Sequence, residues 1–356
     1  MVRIESLPDR PTAVLPEGTS AFSFFHDHET QFNKQDRDMK SIFWGTRGSL
    51  PASFLSGQIR FKLQHVLQLA QNQKLKTREA IDAFIDRLPF PLQGTYGTNT
   101  SCVEIQGGCE TVICDAGTGI RDFGQSVMKE SGGLSGRVFH LFLSHLHWDH
   151  IQGFPFFTPA YVPGNRIIIY GGHEALKTVF ETQQSSPVFP ISLESMSADI
   201  AFQTLSPDRM YEIAGLEVRI MPQNHPGSSF GYRFSHDGKS IIYSTDSEHD
   251  KTCYDANYPF IDFFRNADIL IFDAQYHHGD AVYTKENWGH SSNLIAVELA
   301  VRAGVKQLVL FHNEHTADDV ALDIFLEGTR QYLYHHCPES QMDVQLAYDG
   351  LCLSTD

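Results

Sequence analysis

The sequence predicts an α/β fold of the α+β kind, a sandwich of two β-sheets with helices packed outside. Three observations predict it. Strand-like stretches fall in two halves of the chain, helical periodicity appears between and after them, and histidines and aspartates collect at the ends of several predicted strands. A chain of 356 residues, 41% hydrophobic and 20% charged, has ordinary globular composition and length enough to bury a large core.

Residues 1–40 are polar and aperiodic, with Pro8, Pro11 and Pro16, and read as an N-terminal extension to a folded domain over 41–356. SIFWG (41–45) is a strand running into a Gly-rich turn, Gly45 to Pro51. The period then becomes helical over 57–90. Ile59, Leu63, Val66, Leu67 and Ala70 share one face; Ile81, Phe84, Ile85 and Leu88 share another after an N-cap at Thr77, and Pro89 and Pro91 stop the second helix. This is a helical hairpin inserted between strands. CVEIQ (102–106) and TVICDAG (111–117) form a hairpin about Gly107 and Gly108, followed by a helix over 119–130 and a buried strand, RVFHLFLSH (137–145). RIIIYG (166–171) is a strand and 173–183 a helix. A strand meander occupies 199–245, one hairpin turning at His236 to Lys239. Then come DILIFD (268–273), a helix from Ser291 to Ala303 ending before Gly304, and QLVLFH (307–312). A helix begins near Thr316, where Thr316 and Asp319 have capping-box spacing, and VQLAY and LCLST end the chain.

Acidic residues outnumber basic ones 43 to 27, a formal charge of -16. Such a field repels nucleic acid and anionic membrane unless a local basic patch reverses it. A large polyanion is thereby disfavoured as a substrate, whereas a small anion held by a metal is not. The N-terminus lacks an apolar signal region and no run of about 18 apolar residues occurs, so no membrane partner is expected. The six cysteines form no CxxC pair and read as buried thiols of a reducing cytoplasm.

The chain has 18 histidines. His145-Leu146-His147-Trp148-Asp149-His150 places four potential ligands in six residues directly after a buried strand, a density that a core cannot satisfy. Imidazole and carboxylate together suit zinc, manganese or iron. Further candidates stand at later strand ends: His225, Asp246 and His312. His26 and His28 lie in the polar extension with no strand before them and are read as non-ligands. His277, His278 and His315 are read as surface or pocket-lining residues. Phe154 to Phe157 read as core, with one ring available to stack on a base.

HLHWDH, with the later His, Asp and His, resembles the metallo-β-lactamase superfamily over residues 41–356. The resemblance implies an αββα sandwich, here with an inserted helical hairpin, and a dinuclear site. It implies that His145, His147 and His225 hold one metal, that Asp149, His150 and His312 hold the other, and that Asp246 bridges them. It implies that Asp115, in the DAG turn, supports the histidine loop from behind.

WGTRGSLP (44–51), YGTNTS (96–101), Gly289-His290-Ser291-Ser292 and DILIFDAQY (268–276) are similar to the ribonuclease Z and cyclic-nucleotide phosphodiesterase branch, with Asp273 where Glu is more usual. Against that branch's short loop, the first two motifs are here separated by the insert. The resemblance implies a cytoplasmic enzyme, a metal-dependent hydrolase with two divalent ions, zinc first and manganese or iron as alternatives. Its substrate would be a small anionic phosphodiester, a cyclic nucleotide or related signalling nucleotide, attacked by a metal-bridged hydroxide that Asp149 orients. His290 would donate a proton to the leaving group, its ring held by Asp273. Arg47, with Asn99 and Ser101, would lie near the substrate. Rival readings are a thioesterase of the glyoxalase II kind, a tRNA 3′-processing endonuclease and a non-catalytic binding module. Related phosphodiesterases suggest a homodimer, with the 57–90 insert as lid or dimer contact.

Overall fold

The computed structural model describes residues 38–129, 135–276 and 288–356. Fourteen strands form two seven-stranded sheets. In the first sheet the order is β14 (Cys352–Ser354), β1 (Lys40–Gly45), β2 (Cys102–Gln106), β3 (Thr111–Cys114), β4 (Val138–Phe142), β5 (Arg166–Gly171), β6 (Asp199–Thr204). In the second it is β13 (Asp343–Leu346), β12 (Gln307–Phe311), β11 (Ile269–Asp273), β10 (Lys239–Ser244), β9 (Ser229–His236), β8 (Leu216–Gln223), β7 (Met210–Ile213). Strands β3 to β6 run parallel, as do β10 to β13, and the remaining pairs are antiparallel.

The period-2 alternation of a strand sends neighbours to opposite faces. Ile241, Tyr243, Ile269, Ile271, Val309 and Phe311 therefore point between the sheets, meeting Phe43, Val103, Val112 and Phe142 of the first. Their neighbours Ile242, Leu270, Phe272, Leu308 and Leu310 face outward and are covered by α7 (Pro259–Phe264), α8 (Asn293–Ala303) and α9 (Asp319–His336). On the other flank Ile113, Leu141, Ile167 and Ile169 pack on α4 (Gly119–Lys129) and α6 (Leu176–Gln183). Covering both faces explains why these parallel strands are continuous apolar runs. The architecture is the αββα sandwich that the sequence predicts.

Several local readings need correction. β6 joins the first sheet beside β5, so the 199–245 stretch is no single meander, and β7 was not foreseen. Local alternation encodes a strand but not the sheet that receives it. α9 begins at Asp319, its N-cap is Asp318, whose carboxylate accepts from the Ala321 amide at 2.8 Å, and Thr316 instead donates to Glu314. Of the cysteines, all free, Cys102, Cys114 and Cys253 are buried, but Cys109 and Cys352 are exposed. The insert contains α1 (Ser56–Ala70) and α2 (Arg78–Ile85), the latter capped by Thr77, and a short α3 (Phe90–Gln93) follows with Pro91 in its first turn. α1 buries none of its residues, and its Ile59, Leu63 and Leu67 stay exposed. The 1–37 part of the extension, with His26 and His28, and His277 and His278 lie outside the described residues. Among the described residues no helix is long and apolar enough to cross a membrane.

Candidate metal centre

Six strand ends deliver the candidate residues to one place. Asp115 follows β3, His145 stands three residues past β4, His225 follows β8, Asp246 follows β10, Asp273 ends β11 and His312 follows β12. The HLHWDH loop then enters a one-turn helix, α5 (Trp148–Ile151), which turns Asp149 and His150 inward. Asp115, Asp246 and His312 all have positive φ, at 60°, 51° and 61°. That conformation is uncommon outside glycine, with Asp and His among the better-tolerated exceptions. Here it turns each side chain off its strand towards the centre.

Donor atoms fall into two neighbouring groups. His145, His147 and His225 form one, Asp149, His150 and His312 the other, with ligand atoms in each within 4.8 Å of one another. Asp246 faces both. Its Oδ2 lies 3.7 Å from His145 Nε2 and 3.8 Å from His225 Nε2; its Oδ1 lies 3.3 Å from His150 Nε2 and 3.4 Å from His312 Nε2. The Nε2 of His145 is buried and has no hydrogen-bond partner, which leaves an orphan lone pair or proton at the centre.

Electrostatics support a cation here. Burial, and then His150, hold His145 well below its ordinary value, and burial likewise lowers His147 and His225, so these rings are neutral and able to donate. Burial by itself would raise Asp246, but His312, His150 and His145 outweigh it and keep the carboxylate well below its usual range. Asp149 is lowered against burial by His150 and His312. His150 moves the other way: burial opposes its charge, yet Asp149, Asp246 and Asp115 raise it well above the ordinary histidine range. Positive charge among these carboxylates is favoured, and divalent cations would supply it. The donor set fits metal ions.

Asp115 sits behind the loop and is fully buried. Its Oδ1 accepts from the Ser144 amide at 2.8 Å, while its Oδ2 accepts from Ser144 Oγ at 2.7 Å, His150 Nδ1 at 2.7 Å and Tyr243 Oη at 2.6 Å. The bond to Nδ1 directs His150 Nε2 at the centre. Ser144 and Tyr243 were missed from sequence because Ser and Tyr carry no ligand signature; Tyr243 looks like an ordinary inward residue of β10.

His290 and Asp273 also meet: Asp273 Oδ2 lies 2.9 Å from His290 Nδ1 and also accepts from the Ser247 amide at 3.0 Å. The His290 ring stacks on His312 at 4.9 Å between centroids and 20° between planes. Burial opposes its protonation, but Asp273 and then Asp246 raise it to about 9.

The GTRG turn contributes in a different way from that expected. Arg47 is buried, Nε donating to Gly97 O at 2.8 Å and Nη1 to Glu314 O and Ala317 O at 3.0 and 2.9 Å. Its guanidinium ties the GTRG turn to the Gly97 loop and to the Glu314 to Ala317 stretch, which engages Nε and Nη1. Asn99 is likewise engaged, donating to Asp122 at 2.9 Å and accepting from Thr118 at 3.2 Å; Ser101 is fully buried. The turn reaches the centre through backbone instead. Ser49, at φ 62°, donates its amide to Asp149 Oδ2 at 2.8 Å, and a Cβ on Gly48 would lie 2.4 Å from His312 Nδ1. No local pattern marks a backbone donor, which is why Ser49 went unnoticed. Gly48→Ala should therefore push the His312 ring out of place and lower turnover at least about tenfold, as second-sphere disturbance of a metal ligand does. Steady-state kinetics with parallel metal analysis checks this.

His315 is paired with Glu314 at 3.1 Å. Phe154 and Phe157 are core, while Phe156 is exposed and packs edge-to-face on Phe189 at 5.8 Å.

A family model described as the beta-lactamase superfamily domain matches residues 110–313. Ribonuclease Z of Thermoplasma acidophilum is 23% identical over 293 residues, 68% of this chain and 87% of its own. Among solved structures, the metallo-beta-lactamase fold protein YhfI of Bacillus subtilis gives a TM-score of 0.58 at 18% identity, covering 89% of this chain and 99% of its own. A diphosphatase from the PhnP family gives 0.54 at 19%, covering 88% and 97%. The two solved structures share the overall fold of this chain. With more than half of its length matched by the family model, the chain belongs to the beta-lactamase superfamily and is a metal-dependent hydrolase built on that fold.

Proposed function

We propose that the chain hydrolyses a phosphodiester in a small cyclic nucleotide or related signalling nucleotide, in the cytoplasm, with two divalent ions, zinc foremost. His145, His147 and His225 would hold one ion, Asp149, His150 and His312 the other, with Asp246 between them. The observation that carries this reading is the division of Asp246, one oxygen towards each donor group, beside the His290–Asp273 pair. Bound divalent ions would supply Lewis acidity and make water nucleophilic near neutral pH. Asp149, held by the Ser49 amide, would orient that water. His290, with Nδ1 turned to Asp273 and its protonation favoured up to about 9, keeps Nε2–H to protonate the departing alkoxide.

Relatives named ribonuclease Z and diphosphatase both break bonds at phosphorus, and a formal charge of -16 argues for the small substrate over a folded RNA. A screen of metal-loaded protein against cyclic mononucleotides, cyclic dinucleotides, bis-p-nitrophenyl phosphate and S-lactoylglutathione tests the reading. Phosphodiester kcat/KM should exceed thioester kcat/KM by at least roughly 100-fold, about 2.7 kcal/mol of transition-state binding. The reverse order would assign a thioesterase.

The homodimer belongs to the same proposal. A 15-residue helix that buries none of its own residues, with Leu55, Ile59, Leu63 and Leu67 in solvent, is marginal unless covered. A second copy would cover it. Replacing 57–90 with a Gly-Ser linker should halve the mass seen by light scattering; an unchanged mass would leave the insert no role in assembly.

A further inference from the structure

His290 reaches the centre from a loop and not from a strand end, and the residue before it is Gly289. Gly289 has φ 85°, and a Cβ there would collide with His225 Nδ1 and Pro226 Cδ. The close approach demands glycine, the residue type whose backbone is least restrained. A proton donor carried by such a residue keeps its place only if the peptide is tied down. Gly289 is tied at both ends. Its carbonyl accepts from His225 Nδ1 at 2.8 Å, and its amide donates to Glu248 Oε2 at 2.9 Å.

Glu248 belongs to the short segment 247–249 that follows Asp246, and this segment is firmly rooted. The Glu248 amide donates to Asn224 O at 2.8 Å. His249 is buried among Tyr258, Phe260 and Phe272, with Nδ1 2.6 Å from Tyr258 Oη and Nε2 3.2 Å from Ser247 Oγ. Burial lowers it to about 4, so it stays neutral and offers one donor and one acceptor. The same segment holds the other surroundings of His290. The Ser247 amide donates to Asp273 Oδ2, the oxygen that also faces His290 Nδ1. Ser291 Oγ donates to Ser247 O at 2.5 Å and accepts from the His249 amide at 3.2 Å, and the Ser291 carbonyl accepts from the Tyr276 amide at 3.3 Å. On the side towards α8, His290 is thus held by three bonds through Ser291. On the other side it is held through the Gly289 peptide, where the carbonyl meets a candidate ligand and the amide meets Glu248.

We propose that Glu248 is a positioning residue for proton transfer. By holding the Gly289 amide it keeps the His290 imidazole between Asp273 and Asp246, with Nδ1 2.9 Å from Asp273 Oδ2 and 3.9 Å from Asp246 Oδ2. This rests on the phosphodiesterase reading, in which His290 protonates the leaving group, and names the residue that sets the donor's place.

Reach and charge separate at this position. Glu248→Gln keeps an acceptor oxygen at the same reach without the charge, and should retain most of the kcat for a cyclic nucleotide. Glu248→Asp keeps the charge but withdraws the oxygen by one methylene. It should resemble Glu248→Ala, in which kcat falls about tenfold, as when a hydrogen-bond partner behind a working group is removed. KM and metal content should stay unchanged. The loss should be smaller for bis-p-nitrophenyl phosphate, whose leaving group needs no proton. A readout free of turnover is the His290 Nδ1 proton donated to Asp273, followed by NMR in metal-loaded protein with isotope-labelled histidine and assigned by its absence in His290→Ala. It should persist in Glu248→Gln and broaden or vanish in Glu248→Asp and Glu248→Ala.

The reverse order, with Glu248→Asp active and Glu248→Gln impaired, would replace positioning by a role for charge and overturn the proposal. Ion loss in Glu248→Ala would overturn it too, since Gly289 would then be serving His225. So would equal losses on alkyl and aryl leaving groups, or an Nδ1 signal indifferent to Glu248. Failure of every diester as a substrate, with the NMR pattern as expected, would sink the phosphodiesterase reading and leave Glu248 as the residue that holds His290.

Discussion

Asp246→Asn is expected to lower the metal content of gently purified protein from about two ions per chain to one or fewer. Phosphodiester turnover should fall by at least about 10³, or about 4 kcal/mol in the barrier. The choice of Asn isolates the charge. Asp246 has φ 51°, a conformation that Asn tolerates nearly as well as Asp, so the backbone turn after β10 survives. The amide keeps one oxygen but replaces the other with a donor. It therefore cannot face His145 and His225 with one oxygen while facing His150 and His312 with the other. It also removes the negative charge towards which these imidazoles orient. Elemental analysis with circular dichroism checks the result. A folded variant with two ions per chain would show that Asp246 is no bridge.

How much of this centre was legible beforehand depended on the kind of signal. Histidines and aspartates at strand ends carry ligand chemistry in their names, and the structure brings together His145, His147, Asp149, His150, His225, Asp246 and His312 as the motif implied. The two sheets were legible too, because parallel strands covered on both faces read as apolar runs such as ILIF and LVLF. Pairing partners were not. Nothing in DIAFQT says that β6 extends the first sheet whereas Met210 to Ile213 begins the edge of the second. Backbone contributions were equally silent. The Ser49 amide and the space that Gly48 leaves for His312 depend on φ and approach distance, which a residue letter does not encode.

Arg47 illustrates the opposite error. An arginine in a Gly-rich turn near a phosphate site matches phosphate geometry, and sequence reasoning follows that chemistry outward. In the fold, three carbonyls from two loops converge on it, Gly97 from one and Glu314 and Ala317 from the connection between β12 and α9. Unpaired buried carbonyls are costly, so a fork of donors is well used there. Burial lowers its pKa from the ordinary arginine value, with Asp319, Asp349 and Glu314 opposing. The insert's apolar stripes gave a similar lesson. Periodicity located both helices, but Phe84 and Leu88 are buried while Ile81 and Ile85 are exposed, as are Ile59, Leu63 and Leu67 in the first helix. A stripe states a need for cover and not its source.

His290→Ala should lower kcat for an alkyl-leaving phosphodiester, such as a cyclic nucleotide, by about 10² or more, with metal content unchanged. The loss should be smaller for bis-p-nitrophenyl phosphate, because p-nitrophenolate leaves without a proton and has less need of a donor. Asp273→Asn should fall between wild type and His290→Ala, since it removes the charge that steadies the imidazolium but keeps the ring. Neither change should unfold the chain. Asp273 retains the Ser247 amide at 3.0 Å and the Gln275 amide at 3.3 Å once His290 is gone. Metal analysis decides between two roles that the geometry places side by side. His290 lies close enough to Asp246 and His225, and to Asp273 and His312, to join either donor group. As a ligand, its loss would strip an ion and slow every substrate alike. As a proton donor, its loss would leave both ions and slow substrates in the order of their leaving-group basicity. A flat dependence on leaving group with full metal content would remove His290 from the chemistry altogether.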